Sequence, residues 1–199
     1  MIGRAVLSPR VKDLATVAEQ LDPEPEHAAQ VTWLASRLFD ELAPEHGLGI
    51  DERELLLAGG MVHDVGWGVS MMRHHKNSAR LIEEMKLPAF TDREQAIIAA
   101  LARYHREALP KKKHRIFGTL KKRDRKAVKA MAAILRVADG LDRSHDDVVR
   151  NVTVERGPDG LRIIAHVTED AGAELWAARK KSDLFEAVFG PVEIEAVEA

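Results

Sequence analysis

Apolar residues recur at spacings of three and four along the first 150 residues, which is the pattern of amphipathic helices. In the segment that begins near residue 25, Val31, Leu34 and Leu38 fall on one helical face. A shorter and weaker pattern lies within residues 1–22. Five longer helices are predicted, at about 25–43, 51–66, 75–86, 91–109 and 124–143.

Short motifs suggest how two of these helices begin and how their packing is arranged. The stretch Asp51–Glu54 and the pair Thr91 and Glu94 have the spacing of capping boxes. The pair Gly59-Gly60 would permit close helix packing, and Gly66 would end the second helix in a left-handed turn.

Near Asn151 the period changes from that of a helix to that of a strand. The stretch NVTVERGPDGLRIIAHV predicts two strands joined by a turn at 157–160, AELWAARKKSDLFEAVFG predicts an amphipathic helix, and PVEIEAV predicts a third strand. We therefore predict a mainly α protein, with a helical domain at 1–150 and a β-β-α-β tail at 151–199 packed on the helical body.

Composition narrows the chemistry that the chain can perform. A hydrophobic share of 45% supports a real core, and the lack of cysteine excludes disulfides and thiolate metal sites. No apolar run approaches the roughly 20 residues of a membrane span, and the N-terminus lacks the apolar centre of a signal peptide. We expect a cytoplasmic protein that does not bind a membrane.

The net charge of -2 hides a strongly basic stretch between Arg103 and Lys129, in which twelve lysines and arginines stand against two acidic residues. Such segregation predicts a surface that faces anions, although a charge run is more often a solvated surface. Phe117 is the only aromatic residue between Lys111 and Lys126. Because single-strand binding relies on stacking, small phosphorylated compounds or polyphosphate are the expected partners, and nucleic acid is disfavoured.

Side chains that can bind metals lie in register with the apolar face of each of the five helices: His27, His63 with Asp64, His75, His105 and Asp139. One buried histidine is usually just a hydrogen-bonded core residue. Burying all of these groups without partners would be costly, whereas a metal ion would satisfy them together. The combination therefore predicts a metal site.

The same residues carry a family resemblance. His27, His63-Asp64 in LAGGMVHDVGW and Asp139 in LRVADGLDRSH resemble the HD superfamily of metal-dependent phosphohydrolases. Together with HHKNSARLI, ARYHRE and KKSDLFEAVFG, these stretches are similar to the C-terminal helical domain of the exopolyphosphatase and guanosine pentaphosphate phosphohydrolase family over about residues 20–190. The resemblance implies an HD-type helical bundle, here as a stand-alone chain without the actin-like domain that cleaves phosphoanhydrides in those enzymes.

The resemblance also implies a ligand set for one or two divalent ions. The first ion would be held by His27, His63, Asp64 and Asp139. Asp64 would bridge to a second ion, which His75 and His105 would complete. Histidine and carboxylate ligands suit Mn, Fe, Co, Ni or Zn better than Mg. Two ions about 3.5–4 Å apart would activate a shared water.

Catalytic and phosphate-binding roles fall on neighbours of these positions. His75 is favoured over His74 as the ligand on the third helix because its register with Ile82 is better, which leaves His74 as a proton donor. The candidate catalytic residues are Asp64, His74 and Lys76. Phosphate would be bound by Lys76, Arg106 and Arg143, for which a solvated helix position is an equally good interpretation.

Two functions remain open at this point. The complete ligand set favours a metal-dependent phosphohydrolase that acts on a nucleotide or another small phosphorylated compound. The similarity to an accessory domain favours a regulatory module that binds polyphosphate or an alarmone nucleotide through the basic stretch. The oligomeric state is open, with a homodimer through the tail as one option.

Overall fold

The computed structural model describes residues 5–199 and confirms a mainly α fold with a small C-terminal sheet. No helix in this range has both the length and the apolar composition that a membrane crossing requires. The helices are α1 (Pro9–Ala18), α2 (Pro25–Glu41), α3 (Ala43–His46), α4 (Ile50–Met61), α5 (His74–Glu84), α6 (Asp92–Tyr104), α7 (Arg115–Thr119), α8 (Lys122–Gly140), α9 (Gly172–Lys180) and α10 (Asp183–Phe189). The strands are β1 (Val149–Gly157), β2 (Gly160–Val167) and β3 (Val192–Glu198).

The predicted helices are present, but α4 is shorter than its sequence pattern indicates. It ends at Met61, so the next residues form a turn instead of a further helical turn. The capping box at Thr91 is confirmed, since the Glu94 side chain accepts a hydrogen bond from the Thr91 N–H at 2.8 Å. The capping box expected at Asp51 is wrong: α4 begins one residue earlier, and Glu52 accepts from the N–H of Gly49 at 3.0 Å.

Helices α2, α4, α6 and α8 surround the core, and their apolar faces are fully buried at positions such as Leu34, Leu56 and Leu101. The two adjacent glycines of α4 allow this close packing. A Cβ at Gly59 would lie 2.7 Å from the Leu101 side chain, and a Cβ at Gly60 would lie 2.5 Å from Thr32 Oγ1. The expectation of close helix packing at this pair is confirmed.

The tail forms a three-stranded sheet of order β1-β2-β3, in which β1 and β2 are antiparallel and β2 and β3 are parallel. The single helix predicted between β2 and β3 is wrong, because it is divided into α9 and α10. Arg136 of α8 stabilises the break, since its guanidinium donates to the Lys181 carbonyl at 3.2 Å and to Asp183 Oδ1 at 2.6 Å. The break leaves the Lys181 side chain directed toward α8.

The tail packs on the two helices that carry the first and the last predicted ligands. Gln30 and Trp33 of α2 donate to the backbone carbonyls of Val149 and Arg150, at 2.6 and 3.2 Å. A Cβ at Gly140, at the end of α8, would lie 2.5 Å from the Cα of Ala178, so α8 and α9 are in backbone contact. The tail thereby fixes α2 and α8 relative to each other.

Candidate metal centre

Residues from three helices and four connecting segments line a cavity of about 240 Å³ at one end of the helical body. His27 comes from the first turn of α2, Asp64 from the turn after α4, His74 from the start of α5, and Asp139 from the last turn of α8. The lining is completed by Trp67, Met71, His105, Arg106, Arg143, His145 and Lys181. Helix ends that are distant in sequence thus meet at one polar site.

Asp64 lies at the centre of this arrangement. Its Oδ1 is 3.2 Å from His74 Nε2 and 3.4 Å from His105 Nε2, and its Oδ2 is 3.6 Å from His63 Nε2. Two groups of side chains place one candidate ligand atom each within 4.8 Å of one another: His27, His63 and Asp64, and Asp64, His74 and His105. The Asp64 carboxylate belongs to both groups.

Three of the imidazoles are oriented by the same local contact. The Nδ1 atoms of His63, His74 and His105 lie 2.7, 3.1 and 2.8 Å from backbone carbonyls three residues earlier in the chain. Because a carbonyl can only accept, each Nδ1 must carry the proton and donate it. In the neutral ring the Nε2 atom is then the lone-pair nitrogen, and in all three residues it lies within 3.6 Å of an Asp64 carboxylate oxygen.

His27 is oriented in the same sense by a carboxylate. Asp142 Oδ2 lies 2.7 Å from His27 Nδ1, and His27 Nε2 lies 3.6 Å from Asp139 Oδ1. His27 also stacks on His145 with ring centroids 3.8 Å apart. A carboxylate behind an imidazole is the usual outer partner of a metal-binding histidine.

Two atoms at the centre are buried without a hydrogen-bond partner: His63 Nε2 and Asp64 Oδ1. Buried nitrogen and oxygen acceptors without a donor are costly in an isolated protein. The residues present therefore fit a bound cation, which would accept both lone pairs.

The charges of these groups follow from their surroundings. Burial lowers the pKa of His105 well below its usual value, so this imidazole is neutral. Burial by itself raises the pKa of Asp139, but the Lys181 ammonium and the His27 hydrogen bond outweigh burial and keep this carboxylate ionised. Burial also opposes protonation of His27, yet the hydrogen bonds with Asp139 and Asp142 raise the pKa of His27 to about 10. His105 and Asp139 are therefore in the forms that bind metals, neutral imidazole and ionised carboxylate, whereas a metal ion at His27 would have to displace the proton that the two carboxylates hold.

The structure does not agree with the prediction that His75, and not His74, is the metal ligand from α5. His74 is the member of the pair that faces Asp64, whereas His75 Nε2 lies 3.4 Å from Glu107 Oε2 and belongs to neither ligand group. Both ring nitrogens of His75 are buried without a hydrogen bond, and burial lowers its pKa to about 4. Register with Ile82 identifies the face of α5 that enters the core, but the site lies beyond the N-terminal end of the helix.

The candidate phosphate-binding residues divide in a similar way. Arg106 and Arg143 line the cavity, and Arg106 Nη1 donates to His74 Nε2 at 3.2 Å. Lys76 does not reach it, and instead lines a separate cavity with Arg103 and other basic residues. Lys76 is two residues after His74 and lies on another face of α5. Its side chain is therefore not placed for the predicted catalytic or phosphate-binding role beside Asp64.

Lys181, Asp142 and His145 are site residues that sequence reasoning missed. The Lys181 ammonium lies 2.5 Å from Asp139 Oδ2, although it comes from the tail, and the KKSDLFEAVFG stretch that contains it gives it no role. Asp142 and His145 follow Asp139 within LDRSHDD, a polar stretch after a buried helix that could have drawn attention to both.

The backbone around the site is strained. Arg73, Glu107 and His145 have φ angles of 60°, 57° and 64°, in the left-handed region that side chains other than glycine rarely adopt. Arg73 precedes His74, Glu107 follows Arg106, and His145 lines the cavity. Such strain is typical of functional sites, where the surrounding structure holds it in place.

Gly66 does not form the left-handed turn that the sequence predicts, because its φ angle is not positive. A Cβ at this position would lie 2.2 Å from the Ser78 nitrogen and 2.6 Å from the His74 carbonyl oxygen. The Gly66 N–H also donates to Ser78 Oγ at 2.9 Å. This contact fixes the turn that carries Asp64 against the helix that carries His74.

Comparison with known proteins gives this arrangement a family. The model of the family described as Ppx/GppA phosphatase, domain III, matches residues 10–165. Relatives named guanosine-5'-triphosphate,3'-diphosphate pyrophosphatase occur in Photobacterium profundum, 31% identical over 100 residues (50% of this chain, 20% of the relative), and in Pseudoalteromonas atlantica, 25% identical over 166 residues (78% and 32%). A third, from Vibrio parahaemolyticus, is 25% identical over 117 residues (57% and 24%). The matched regions span a fifth to a third of these relatives, and because the family model covers most of the chain, the chain belongs to the Ppx/GppA phosphatase family through its domain III.

Proposed function

We propose that the chain is an HD-type, metal-dependent phosphohydrolase that acts on a nucleotide or another small phosphorylated compound. The observation that carries this proposal is the convergence of four imidazoles on Asp64, each with its Nδ1 proton held from behind and its Nε2 directed inward. Family membership supports a phosphorylated substrate, since the relatives are named for cleaving a guanosine polyphosphate.

The ligand atoms divide into two sets that share Asp64. His27, His63 and Asp64, with Asp139 beside them, would hold one ion, and Asp64, His74 and His105 would hold a second. The donors are nitrogen and oxygen atoms only, which suits Mn, Fe, Co, Ni or Zn. When bound, such ions lower the pKa of a water and offset the negative charge of a phosphoryl group.

The remaining residues of the cavity bind and orient the substrate. Arg106 and Arg143 supply guanidinium groups for the phosphoryl oxygens, because their planar geometry matches phosphate. Trp67 and Met71 form an apolar wall on which the organic part of the substrate would pack. Lys181 lines the same cavity beside Asp139, and its ammonium would donate a hydrogen bond to a phosphoryl or leaving oxygen.

The test is metal content and hydrolysis measured on the same preparations. The protein reconstituted with Mn²⁺ or Zn²⁺ should hold two ions per chain and should hydrolyse p-nitrophenyl phosphate or its diester. Asp64→Asn should lose both ions and the activity, whereas Asp159→Asn, an exposed acid in the β1–β2 turn, should keep both. A wild-type protein that binds no metal after reconstitution would contradict the proposal.

A regulatory module is the second candidate, and one observation favours it. The Lys181 ammonium contacts Asp139, and the Arg106 guanidinium contacts His74. Such contacts are expected of a centre in which the protein's own cations take the place of a metal ion. In that case the protein would bind polyphosphate or an alarmone nucleotide through its basic stretch, and no variant of Asp64 would alter that binding.

A further inference from the structure

A second cavity, of about 270 Å³, lies between α5, α6 and α7. It shares no lining residue with the cavity around Asp64. Its lining residues are Lys76, Ala79, Arg80, Glu83, Arg103, Tyr104, His114, Arg115 and Ile116. The cavity therefore contains the lysine that the sequence had assigned to the metal site.

The residues that line this cavity carry an excess of positive charge. Four of its side chains are permanently cationic, and Glu83 is the only acidic residue among them. Glu83 is already engaged by Arg115 at 2.5 Å, and Arg80 is paired with Glu84 at 3.0 Å on the exposed face of α5. Lys76 and Arg103 are left to face the same concave space.

Arg103 gives the strongest indication of what this cavity binds. Its Nη1 is buried and has no hydrogen-bond partner among the described residues. Its Cζ lies 5.6 Å from the centre of the Tyr104 ring. A buried guanidinium nitrogen without an acceptor is costly, and an anion bound in the cavity would supply one.

His114 also lines this cavity, close to the same positive charges. Its Nδ1 atom forms a hydrogen bond of 2.9 Å with the hydroxyl of the buried Tyr104. Burial lowers the pKa of His114, and the charges of Arg103 and Lys113 lower it further. The pocket thus concentrates positive charge beyond what its own acids compensate.

We propose that this cavity is a binding site for a compact phosphoryl anion of the size of pyrophosphate. Guanidinium groups bind phosphate oxygens through paired hydrogen bonds, and a lysine beside them adds a point charge. Its volume of about 270 Å³, below the about 300–1,000 Å³ of sites for drug-sized ligands, suits a diphosphate group. The proposal does not depend on the metal centre, because the two cavities use different residues.

The experiment is calorimetric titration of the metal-free full chain with sodium pyrophosphate at moderate salt. We expect one site per chain. Arg103→Met, which keeps an unbranched apolar side chain, should weaken the affinity by about tenfold or more, because it removes a charge-assisted hydrogen bond. Lys76→Met should act in the same direction. Lys129→Met removes one exposed charge elsewhere on α8 and should change the affinity less than about twofold.

Three outcomes would overturn the proposal. They are affinity unchanged by Arg103→Met, an equal loss in Lys129→Met, and a loss in His74→Ala as large as that in Arg103→Met, which would place the anion at the metal centre. If Arg103→Met does not fold, Lys76→Met carries the same test. Titration with orthophosphate and with guanosine diphosphate identifies the source of the anion: binding of pyrophosphate tighter than both supports a free diphosphate, and tighter binding of the nucleotide contradicts it.

Discussion

The ammonium group of Lys181 lies 2.5 Å from Asp139 Oδ2, so a cation from the tail neutralises one of the proposed metal ligands. The break between α9 and α10 makes this contact, since a continuous helix would carry the side chain elsewhere. A divalent ion at Asp139 would have to share this carboxylate with the ammonium or displace it. The tail is therefore expected to influence the stability of the site and its affinity for metal.

Lys181→Met tests that influence. In metal-free protein the substitution should lower the free energy of unfolding by roughly 2 kcal/mol, because Asp139 stays buried without its ammonium partner. Saturating Mn²⁺ should recover most of the loss, and metal should bind more tightly than to the wild type. Urea unfolding with and without a chelator measures both effects. Lys180→Met, at a lysine that lies over the Trp176 ring, is the control and should show no metal dependence. An equal loss under both conditions would mean that the ion pair is only structural.

Asp142→Asn tests the orientation of His27. The Asp142 carboxylate holds His27 Nδ1 at 2.7 Å, and its loss of charge makes the imidazole a poorer ligand and a less well-ordered one. Metal affinity should fall by about 10- to 100-fold while the fold is retained. Metal titration followed by calorimetry measures this, with circular dichroism as the check of folding. Asp146→Asn, an exposed acid in the same loop, should bind metal like the wild type. Equal affinities in the two variants would remove Asp142 from the site.

Much of the fold could be predicted from the sequence because helical periodicity is a local signal. The apolar faces of α2, α5, α6 and α8 recur within a few turns, and the metal-capable residues on those faces could be identified from the same register. The end of α4 could not be placed, since the pattern continues past Met61 although the backbone turns there.

The role of Lys181 depends on packing between distant segments. Lys181 reaches Asp139 across 42 positions of sequence, and its direction is set by Arg136 at the break between two helices. The choice between His74 and His75 likewise depends on the contact of Gly66 with the first turn of α5. Sequence periodicity contains neither piece of information.

Gly66→Ala tests that contact. A methyl group here would lie 2.2 Å from a backbone nitrogen of α5, and backbone cannot give way as a flexible side chain can. We expect a loss of about 1–3 kcal/mol in the free energy of unfolding and weaker metal binding, because Asp64 and His74 would be forced apart. Thermal and urea unfolding measure the first effect, and metal titration the second. Gly172→Ala, where a Cβ would meet only the Asp170 carboxylate at 3.5 Å, should be neutral or slightly stabilising. A Gly66→Ala protein as stable as the Gly172→Ala protein would show that the turn moves freely against α5.

The adjacent histidines of α5 provide a matched pair for the ligand assignment. His74 Nε2 faces Asp64 Oδ1 at 3.2 Å, whereas His75 Nε2 faces Glu107 at 3.4 Å. His74→Gln should therefore lower the metal content from two ions to one and abolish hydrolysis, because the second set of ligands loses an imidazole. His75→Gln should keep both ions and most of the activity, since it alters a side chain outside both ligand sets. Metal content after dialysis and steady-state kinetics on the same samples measure the two effects.

The reverse result would also be informative. Loss of an ion in His75→Gln, with two ions kept in His74→Gln, would mean that α5 turns on its axis when metal binds. The rotation needed is about 100°, the angle between successive side chains on a helix with 3.6 residues per turn. It would carry Ser78 away from the Gly66 N–H, which it now accepts at 2.9 Å. Hydrogen exchange at Gly66 should then be faster in the metal-bound protein, whereas the present assignment predicts slower exchange.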